Sequence, residues 1–164
     1  MQTRRTGELN VQCGRVTAPG PMEAAAMAGA RWPVSVKGVL GWDGRIVVLR
    51  NHRGEWELPG GRLETSDDSP QHALRREINE ELGLDAEIGP LVDSWIYDVE
   101  GKRVLILTYA CEAPQPEALS HSDEHTDVRL VTPAELADAP IPSGYLGSVE
   151  TALAGWSESR ILGG

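Results

Sequence analysis

Residues 60–84 read GGRLETSDDSPQHALRREINEELGL, two glycines and a polar loop followed by a helix with a defined beginning and end. Ser69 is the predicted N-cap, because its hydroxyl can accept a hydrogen bond from the first turn, and Pro70 suits the first helical position. Gly83 suits the C-cap, where a left-handed residue ends the helix after Leu82. The stretch therefore predicts a loop that leads directly into a helix of about three turns.

Three glutamates lie close together on this predicted helix, at Glu77, Glu80 and Glu81. At 100° per residue they share an arc about 100° wide. The adjoining apolar stripe, which must face the rest of the protein, consists of Leu74, Ile78 and Leu82. Like charges at this spacing repel by roughly 0.2–0.5 kcal/mol per pair. The geometry fits either a solvated acidic face or a cluster that holds a positive ion.

Strand-like segments separated by turn residues surround the helix. A strand is predicted on each side of Asp43-Gly44 and of Glu100-Gly101, and a turn at Arg53-Gly54 leads into a short strand before the Pro-Gly-Gly loop. The predicted strands read VSVKGVL, RIVVLRN, EWELPGG, PLVDSWIYDV, KRVLILTYACE and DVRLVT. A short helix in PAELADA and a closing helix over residues 147–161 follow. This order predicts an α+β fold.

The charge balance argues against a nucleic-acid polymer as partner. The 164 residues include 25 acidic and 15 basic side chains, a formal net charge of −10, and 40% of them are hydrophobic. Proteins that bind nucleic acids normally present a basic surface. Small phosphate ligands remain compatible with an acidic protein, because a divalent cation can reverse the local charge.

The length suits one domain with its own core, which we assign to residues 31–164. Residues 1–30 are predicted to form an N-terminal arm, disordered or exchanged as a strand between the copies of a homodimer. Cys13 and Cys111 are the only cysteines and have no metal-ligand spacing, as expected for free thiols in the cytoplasm. No apolar run approaches the roughly 20 residues of a membrane span, so no membrane association is predicted.

Residues 61–84 resemble the Nudix box of the Nudix hydrolase family (MutT-like), with the pattern G-x5-E-x7-R-E-U-x-E-E-x-G-U, where U is aliphatic. The second half of the pattern is matched by Arg76, Glu77, Ile78, Glu80, Glu81, Gly83 and Leu84. The first half differs. Counting back from Arg76 places the family's first glutamate at Asp68, whereas counting forward from Gly61 places it at Asp67. The loop thus has one extra residue, and an aspartate replaces a glutamate that mainly supports the loop in the family.

The resemblance implies a Nudix-type α/β/α sandwich with a central mixed β-sheet and a metal site built from a loop, a helix and a loop. It also implies an enzyme that requires Mg²⁺, with Mn²⁺ as a substitute, and promotes the attack of water on phosphorus. The implied metal ligands are Glu77, Glu80, Glu81 and the carbonyl of Gly61, or alternatively that of Gly60. Glu80 and Glu81 are also implied catalytic residues, and Arg76 resembles the family arginine that orients a catalytic glutamate.

Substrate contacts are predicted outside the helix. Trp95 and Tyr97 alternate on one predicted strand, so they share a face that can stack on a nucleobase. Each ring also fits a role in core packing. Arg62, next to the glycine pair, is a further candidate for substrate binding.

The polar segment HSDEHTD, residues 121–127, has three interpretations. It fits a solvated loop, a zinc site through His121 and His125, or a catalytic loop. In the last case Glu124 is our hypothesis for the general base, with one of the helix glutamates as the alternative. The histidines could then carry the proton onward, because histidine titrates near neutral pH.

The expected substrate is a nucleoside diphosphate linked to another group, such as a nucleotide sugar or ADP-ribose. A nucleoside triphosphate is the next expectation. Two alternatives come from other functional classes. A Nudix-like nucleotide sensor without turnover would be expected to lose helix glutamates, whereas this chain keeps all three. An isoprenoid diphosphate isomerase on the same scaffold would need a suitably placed cysteine, and none is evident.

Overall fold

A computed structural model describes residues 31–162, and within this range no helix is long and apolar enough to cross a membrane. By its contacts the chain divides into two units, Met1–Arg31 and Trp32–Gly164. The predicted N-terminal arm, residues 1–30, lies outside the described residues.

The strands form two sheets, one mixed and one antiparallel. They are β1 Val34–Val39, β2 Gly41–Trp42, β3 Arg45–Arg50, β4 Trp56–Glu57, β5 Glu87–Val99, β6 Lys102–Glu112 and β7 Asp127–Val131. In the first sheet the order is β1-β6-β5, with β1 parallel to β6 and β5 antiparallel to it. In the second, β3 pairs with β2, β4 and β7, in each case antiparallel.

The two predicted hairpin turns have the backbone that tight turns require. Asp43 and Gly44 have φ angles of 52° and 74°, and Glu100 and Gly101 have φ angles of 51° and 73°. Two successive positive φ angles define the turn whose twist matches that of paired strands. These dipeptides therefore set the register of the β2–β3 and β5–β6 hairpins.

The three described helices are α1 Pro70–Leu82, α2 Pro133–Ala137 and α3 Ser143–Leu162. The bounds of α1 are those predicted from the sequence: the Ser69 side chain accepts a hydrogen bond from the N–H of His72, and Gly83 has a φ of 68°. The start predicted for α3 at residue 147 is wrong by four residues. Gly144 and Gly147 lower the helical propensity of this segment, but packing of its first turn against β5 compensates.

The sheets lie between two helical layers, as the alternation of side chains along β3 shows. Val47 and Leu49 face the core cluster that includes Leu74 and Ile78 of α1. Ile46 and Val48 face the cluster that includes Leu136, Tyr145 and Val149 of α2 and α3. Both faces of β3 are therefore buried, and the predicted α/β/α sandwich with a mixed sheet is confirmed.

The Pro-Gly-Gly loop runs beside β1 and is held there by backbone hydrogen bonds. The N–H of Gly38 donates to the carbonyl of Pro59, and the N–H of Val36 donates to the carbonyl of Gly61, both at 2.9 Å. Because α1 also packs on β1, the loop and the helix meet at the same edge. This edge carries the predicted site.

Candidate active site

The three predicted glutamates of α1 line one cavity of about 400 Å³. Glu77 and Glu81 are buried, with exposed fractions of 9% and 4%, whereas the side chain of Glu80 is 57% exposed at the rim. The wall consists of Ser35, Lys37, Glu57, Gly60, Gly61, Arg62, Glu64, Arg76, Glu77, Glu80, Glu81, Glu124 and His125. A larger depression of about 580 Å³, beside Arg75 and Glu112, contains none of the three glutamates.

The glycine pair lets the loop approach the helix carboxylates closely. A Cβ atom on Gly61 would lie 2.5 Å from the carboxyl carbon of Glu77, so any larger residue would displace that carboxylate. The N–H of Gly60 donates to Oε2 of Glu81 at 2.7 Å, and Gly60 has a φ of 124° that favours glycine. Both glycines are therefore required for the position of the acidic side chains.

Arg76 fixes the orientation of two of the three glutamates. Its Nη1 donates to Oε1 of Glu77 at 3.0 Å and to Oε2 of Glu80 at 3.1 Å. On its other side, Nε and Nη2 donate to the carboxylate of Asp67 at 3.2 and 3.1 Å. The guanidinium thus connects the loop to the helix, and the orienting role that the resemblance implies stays a prediction.

The structure distinguishes between the two candidates for the first acidic residue of the box. Asp67 is the one that binds Arg76, with only 1% of its side chain exposed, and it also accepts a hydrogen bond from the N–H of Glu64 at 2.9 Å. Asp68 is exposed. The forward count from Gly61 therefore gives the supporting residue, and the extra loop residue lies between Asp67 and the helix.

Burial disfavours the negative charge on the two inner glutamates. It raises the pKa of Glu77 above its usual range, although Arg76 partly offsets the effect. It raises the pKa of Glu81 to about 7, against the opposing influence of Lys37 and of the Gly60 N–H. Two adjacent carboxyl groups that resist ionisation form a site where a bound cation would be strongly favoured.

The donor set fits a hard divalent cation such as Mg²⁺. Carboxylate oxygens from Glu77, Glu80 and Glu81 and a loop carbonyl are the ligand types that Mg²⁺ prefers. Within residues 31–162, however, no group of three or more His, Cys, Asp or Glu side chains already has the arrangement of a metal site. Glu80 contacts Arg76 through Oε2, and its exposed position at the rim leaves room for its other oxygen to reach the ion.

A buried ion pair that the sequence analysis missed forms the floor of the cavity. Lys37 on β1 is 5% exposed, and its ammonium lies 3.2 Å from Oε2 of Glu57 on β4 and 2.5 Å from the carbonyl of Gly60. Burial alone would lower the pKa of Lys37, but the charge of Glu57, the hydrogen bond to Glu57 and the nearby Tyr145 and Glu81 together outweigh it and raise that pKa above its ordinary value. The position of this lysine within the apolar run VSVKGVL is the sequence feature that could have predicted a buried ion pair.

The segment 121–127 is folded onto the site. Glu124, the candidate base, lines the cavity, and its neighbour His125 is buried between Glu57 and Glu81. His121 is exposed, with its Nδ1 beside the carbonyl of Ser122. The two histidines therefore differ in surroundings, and the described residues provide no zinc cluster around them.

Trp95 and Tyr97 share a face of β5 as predicted, but neither side chain is part of the cavity wall. The ring of Trp95 packs edge-on against Tyr145, with centroids 5.0 Å apart, and it lies directly over Gly144 of α3. Arg62, in contrast, is exposed and lines the cavity. A base contact by the two rings stays a prediction, and it would require the substrate to extend beyond this cavity.

A sequence profile for the family described as "NUDIX domain" matches residues 31–150. The chain belongs to the NUDIX domain family. As a Nudix enzyme it is a hydrolase that acts on phosphorus-containing acid anhydrides.

Named relatives cover most of the Nudix domain. A MutT-like protein of Streptomyces ambofaciens is 36% identical over 107 residues, which are 64% of this chain and 67% of the relative. The CTP pyrophosphohydrolase of Escherichia coli is 29% identical over 124 residues, which are 73% of this chain and 90% of the relative. The solution structure of the E. coli ORF135 protein matches with a TM-score of 0.61 and 26% identity, over 82% of this chain and 94% of that one.

Proposed function

We propose that this protein hydrolyses a pyrophosphate bond of a nucleotide derivative with the help of Mg²⁺. The cavity supports the proposal because it combines two kinds of group that such a reaction needs. Buried Glu77 and Glu81, with Glu80 at the rim, can hold a cation. Arg62 in the same wall can bind a phosphate.

Each residue then has a distinct task. Glu77, Glu80, Glu81 and the Gly61 carbonyl hold the Mg²⁺, which when bound offsets the negative charge of the phosphates. Glu124 accepts the proton of the water that attacks phosphorus, and Arg76 keeps Glu77 and Glu80 in place. If Glu124 is not the base, a helix glutamate with a loose metal contact takes that role.

Two substrate classes are candidates. A nucleoside diphosphate linked to another group is the expectation from the sequence. A nucleoside triphosphate is supported by the relative named CTP pyrophosphohydrolase, of which the match covers 90%. Both classes contain the same pyrophosphate bond, so the cavity around α1 can serve either of them.

The test is a comparison of nucleoside triphosphates with nucleotide sugars and ADP-ribose, at saturating Mg²⁺ and with EDTA, reading the release of nucleoside monophosphate. We expect turnover that requires the metal. Glu80→Gln should lower kcat by at least about 10²-fold, because metal-based charge stabilisation contributes several kcal/mol. Glu117→Gln, an exposed acid outside the cavity, is the matched control. Near-full turnover of Glu80→Gln would contradict the assignment, and tight nucleotide binding without turnover by the wild type would favour a sensor.

A cytoplasmic location and a homodimer are part of the same proposal. The location is supported by two cysteines without metal-ligand spacing, and the dimer by the predicted strand exchange of residues 1–30. Light scattering of the full chain across a range of concentrations tests the dimer, and a monomeric mass throughout would contradict it. Fractionation of cells that express the chain tests the location.

A further inference from the structure

The segment from His121 to Asp127 is anchored at both ends, which is unexpected for a short polar loop. The N–H of Ser122 donates to the backbone carbonyl of Glu81 at 3.0 Å, and the N–H of Thr126 donates to the carbonyl of Arg50 at 2.8 Å. Between these anchors the side chain of His125 points inward, since the residue is only 6% exposed. The loop is therefore attached to the C-terminal end of α1, beside the site.

His125 completes a closed ring of contacts beneath the cavity. The ammonium of Lys37 joins the Gly60 carbonyl to Glu57, and the Gly60 N–H binds Oε2 of Glu81. The ring closes at Nε2 of His125, which lies 3.3 Å from Oε1 of Glu57 and 3.6 Å from Oε1 of Glu81. One imidazole nitrogen thus connects the fixed floor of the cavity to a glutamate of the helix.

The two ring nitrogens of His125 have different surroundings. Nε2 lies within hydrogen-bond distance of Oε1 of Glu57, a charged carboxylate that can only accept, so Nε2 carries the hydrogen and donates it to Glu57. Glu57 is ionised at neutral pH. Burial alone would raise its pKa, but Lys37 and the contact with His125 lower that pKa to about 2. Nδ1 is buried and has no hydrogen-bond partner within the described residues. Nε2 is thus the nitrogen that contacts the site.

We propose that His125 is a positioning residue of the active site. Through Nε2 it orients the carboxylate of Glu81, and its anchorage to Glu57 holds the preceding residue, Glu124, at the cavity wall. The inference extends the proposed hydrolase function. It explains why a loop of mostly exposed residues contains a buried histidine. His125 would affect the rate of hydrolysis only by positioning these side chains, because a catalytic group displaced by about 1 Å can reduce a rate by about 10²-fold.

Two amide substitutions distinguish the nitrogens. In His125→Gln the terminal amide nitrogen can take the place of Nε2, whereas in His125→Asn it can reach only the place of Nδ1. We expect His125→Gln to keep kcat within roughly threefold of the wild type. We expect His125→Asn and His125→Leu to lower kcat by roughly 10–100-fold with little change in KM, the effect typical of residues that orient metal ligands.

Amide hydrogen exchange tests the same claim without metal, substrate or turnover. In His125→Asn the amides of Ser122 and Thr126 should exchange faster than in the wild type, and in His125→Gln they should not. This measurement stays decisive if the wild type hydrolyses none of the nucleotides, because that result would contradict only the proposed function. Equal kcat and equal exchange in the Gln and Asn variants would overturn the positioning role. So would losses of thermal stability in all three variants with unchanged kcat.

Discussion

Asp67 shows how one residue determines the geometry of the site. The family pattern has a glutamate, with a longer side chain, at this position. The shorter aspartate still reaches both Nε and Nη2 of Arg76. The backbone of Glu64 holds it from the other side. Since Arg76 in turn binds Glu77 and Glu80, a change at Asp67 should act on these two proposed metal ligands without touching them.

Asp67→Asn should destabilise the protein in a way that depends on pH. The hydrogen bond from Arg76 lowers the pKa of Asp67 below its usual range. The stabilisation that follows is complete above the unfolded-state pKa of roughly 3.9 and is lost as pH falls through the lower folded-state pKa. Urea unfolding of both proteins should therefore show a difference at pH 6 that shrinks below about pH 4. Asp68→Asn, at an exposed residue, should show no such difference; a constant gap at all pH values would contradict the ion pair.

Glu124→Gln tests the assignment of the base. A positioned general base contributes typically 10²–10⁴-fold, so kcat should fall by about that factor with little change in KM. Asp123→Asn is the matched control, because Asp123 is exposed in the same loop and does not line the cavity. Steady-state kinetics at saturating Mg²⁺ decide the matter. A loss below roughly threefold would assign the proton to a helix glutamate.

At the scale of the elements, the site depends on contacts between segments far apart in sequence. β1 provides Lys37, β4 provides Glu57, and the Pro-Gly-Gly loop binds both β1 and α1. The ion pair is buried, with 7% and 19% of the two side chains exposed. A buried charge without its partner is far more costly than a buried pair, so the pair should behave as one unit.

Lys37→Met should lower the free energy of unfolding by about 3–5 kcal/mol, because it leaves the carboxylate of Glu57 buried without its cation. The double variant Lys37→Met/Glu57→Gln should recover most of the loss. Lys102→Met, at an exposed lysine, is the control. Chemical denaturation of the wild type, Lys37→Met, Glu57→Gln and the double variant gives the coupling energy directly. Additive losses in the double variant would show that the two side chains act independently.

The contact between α3 and β5 predicts opposite effects for two glycines of one helix. A Cβ atom on Gly144 would lie 2.3 Å from the ring of Trp95, whereas one on Gly147 would meet nothing within 4 Å. Gly144→Ala should therefore destabilise the protein by about 1–3 kcal/mol through overpacking. Gly147→Ala should stabilise it by about 0.5–1 kcal/mol through higher helical propensity. Thermal unfolding measures both, and a shift of the same sign would contradict the packing of Trp95 on α3.

For the whole molecule, the excess of negative charge and the burial of acidic side chains at the site both disfavour the folded state. The chain has a formal net charge of −10, and two buried glutamates lie within it at the cavity. Self-repulsion of this kind weakens the folded state. A cation bound at α1 removes part of that repulsion, so metal binding and folding are coupled.

Mg²⁺ should therefore raise the stability of the protein even without substrate. At a free concentration 100-fold above its Kd, a ligand of the folded state adds about 2.7 kcal/mol to the free energy of unfolding. We expect this rise for the wild type and none for the triple variant Glu77→Gln/Glu80→Gln/Glu81→Gln. Urea unfolding with and without Mg²⁺ is the measurement. An equal rise in the free energy of unfolding in both proteins would show that Mg²⁺ binds at a site other than the three glutamates.

The features that could be predicted from the sequence alone depend on interactions between residues close together in the chain. The bounds of α1 follow from Ser69, Pro70 and Gly83, because caps act within one turn of the helix. Asp43-Gly44 and Glu100-Gly101 fix the hairpins, because few residues tolerate positive φ. The shared face of Glu77, Glu80 and Glu81 follows from helical geometry alone. The family, and with it the α/β/α layers, follows from residues 61–84.

Three features of the site depend on residues distant in sequence and became known only from the tertiary structure. Nothing in the spacing distinguishes Asp67 from Asp68, since the choice depends on which side chain reaches Arg76. The burial of Lys37 requires Glu57 and Gly60, which are 20 and 23 residues away. His125 is buried because Glu57 and Glu81, 68 and 44 residues from it, converge on its Nε2. Contacts between residues distant in sequence bring these groups together, and such contacts cannot be predicted from the pattern of neighbouring residues.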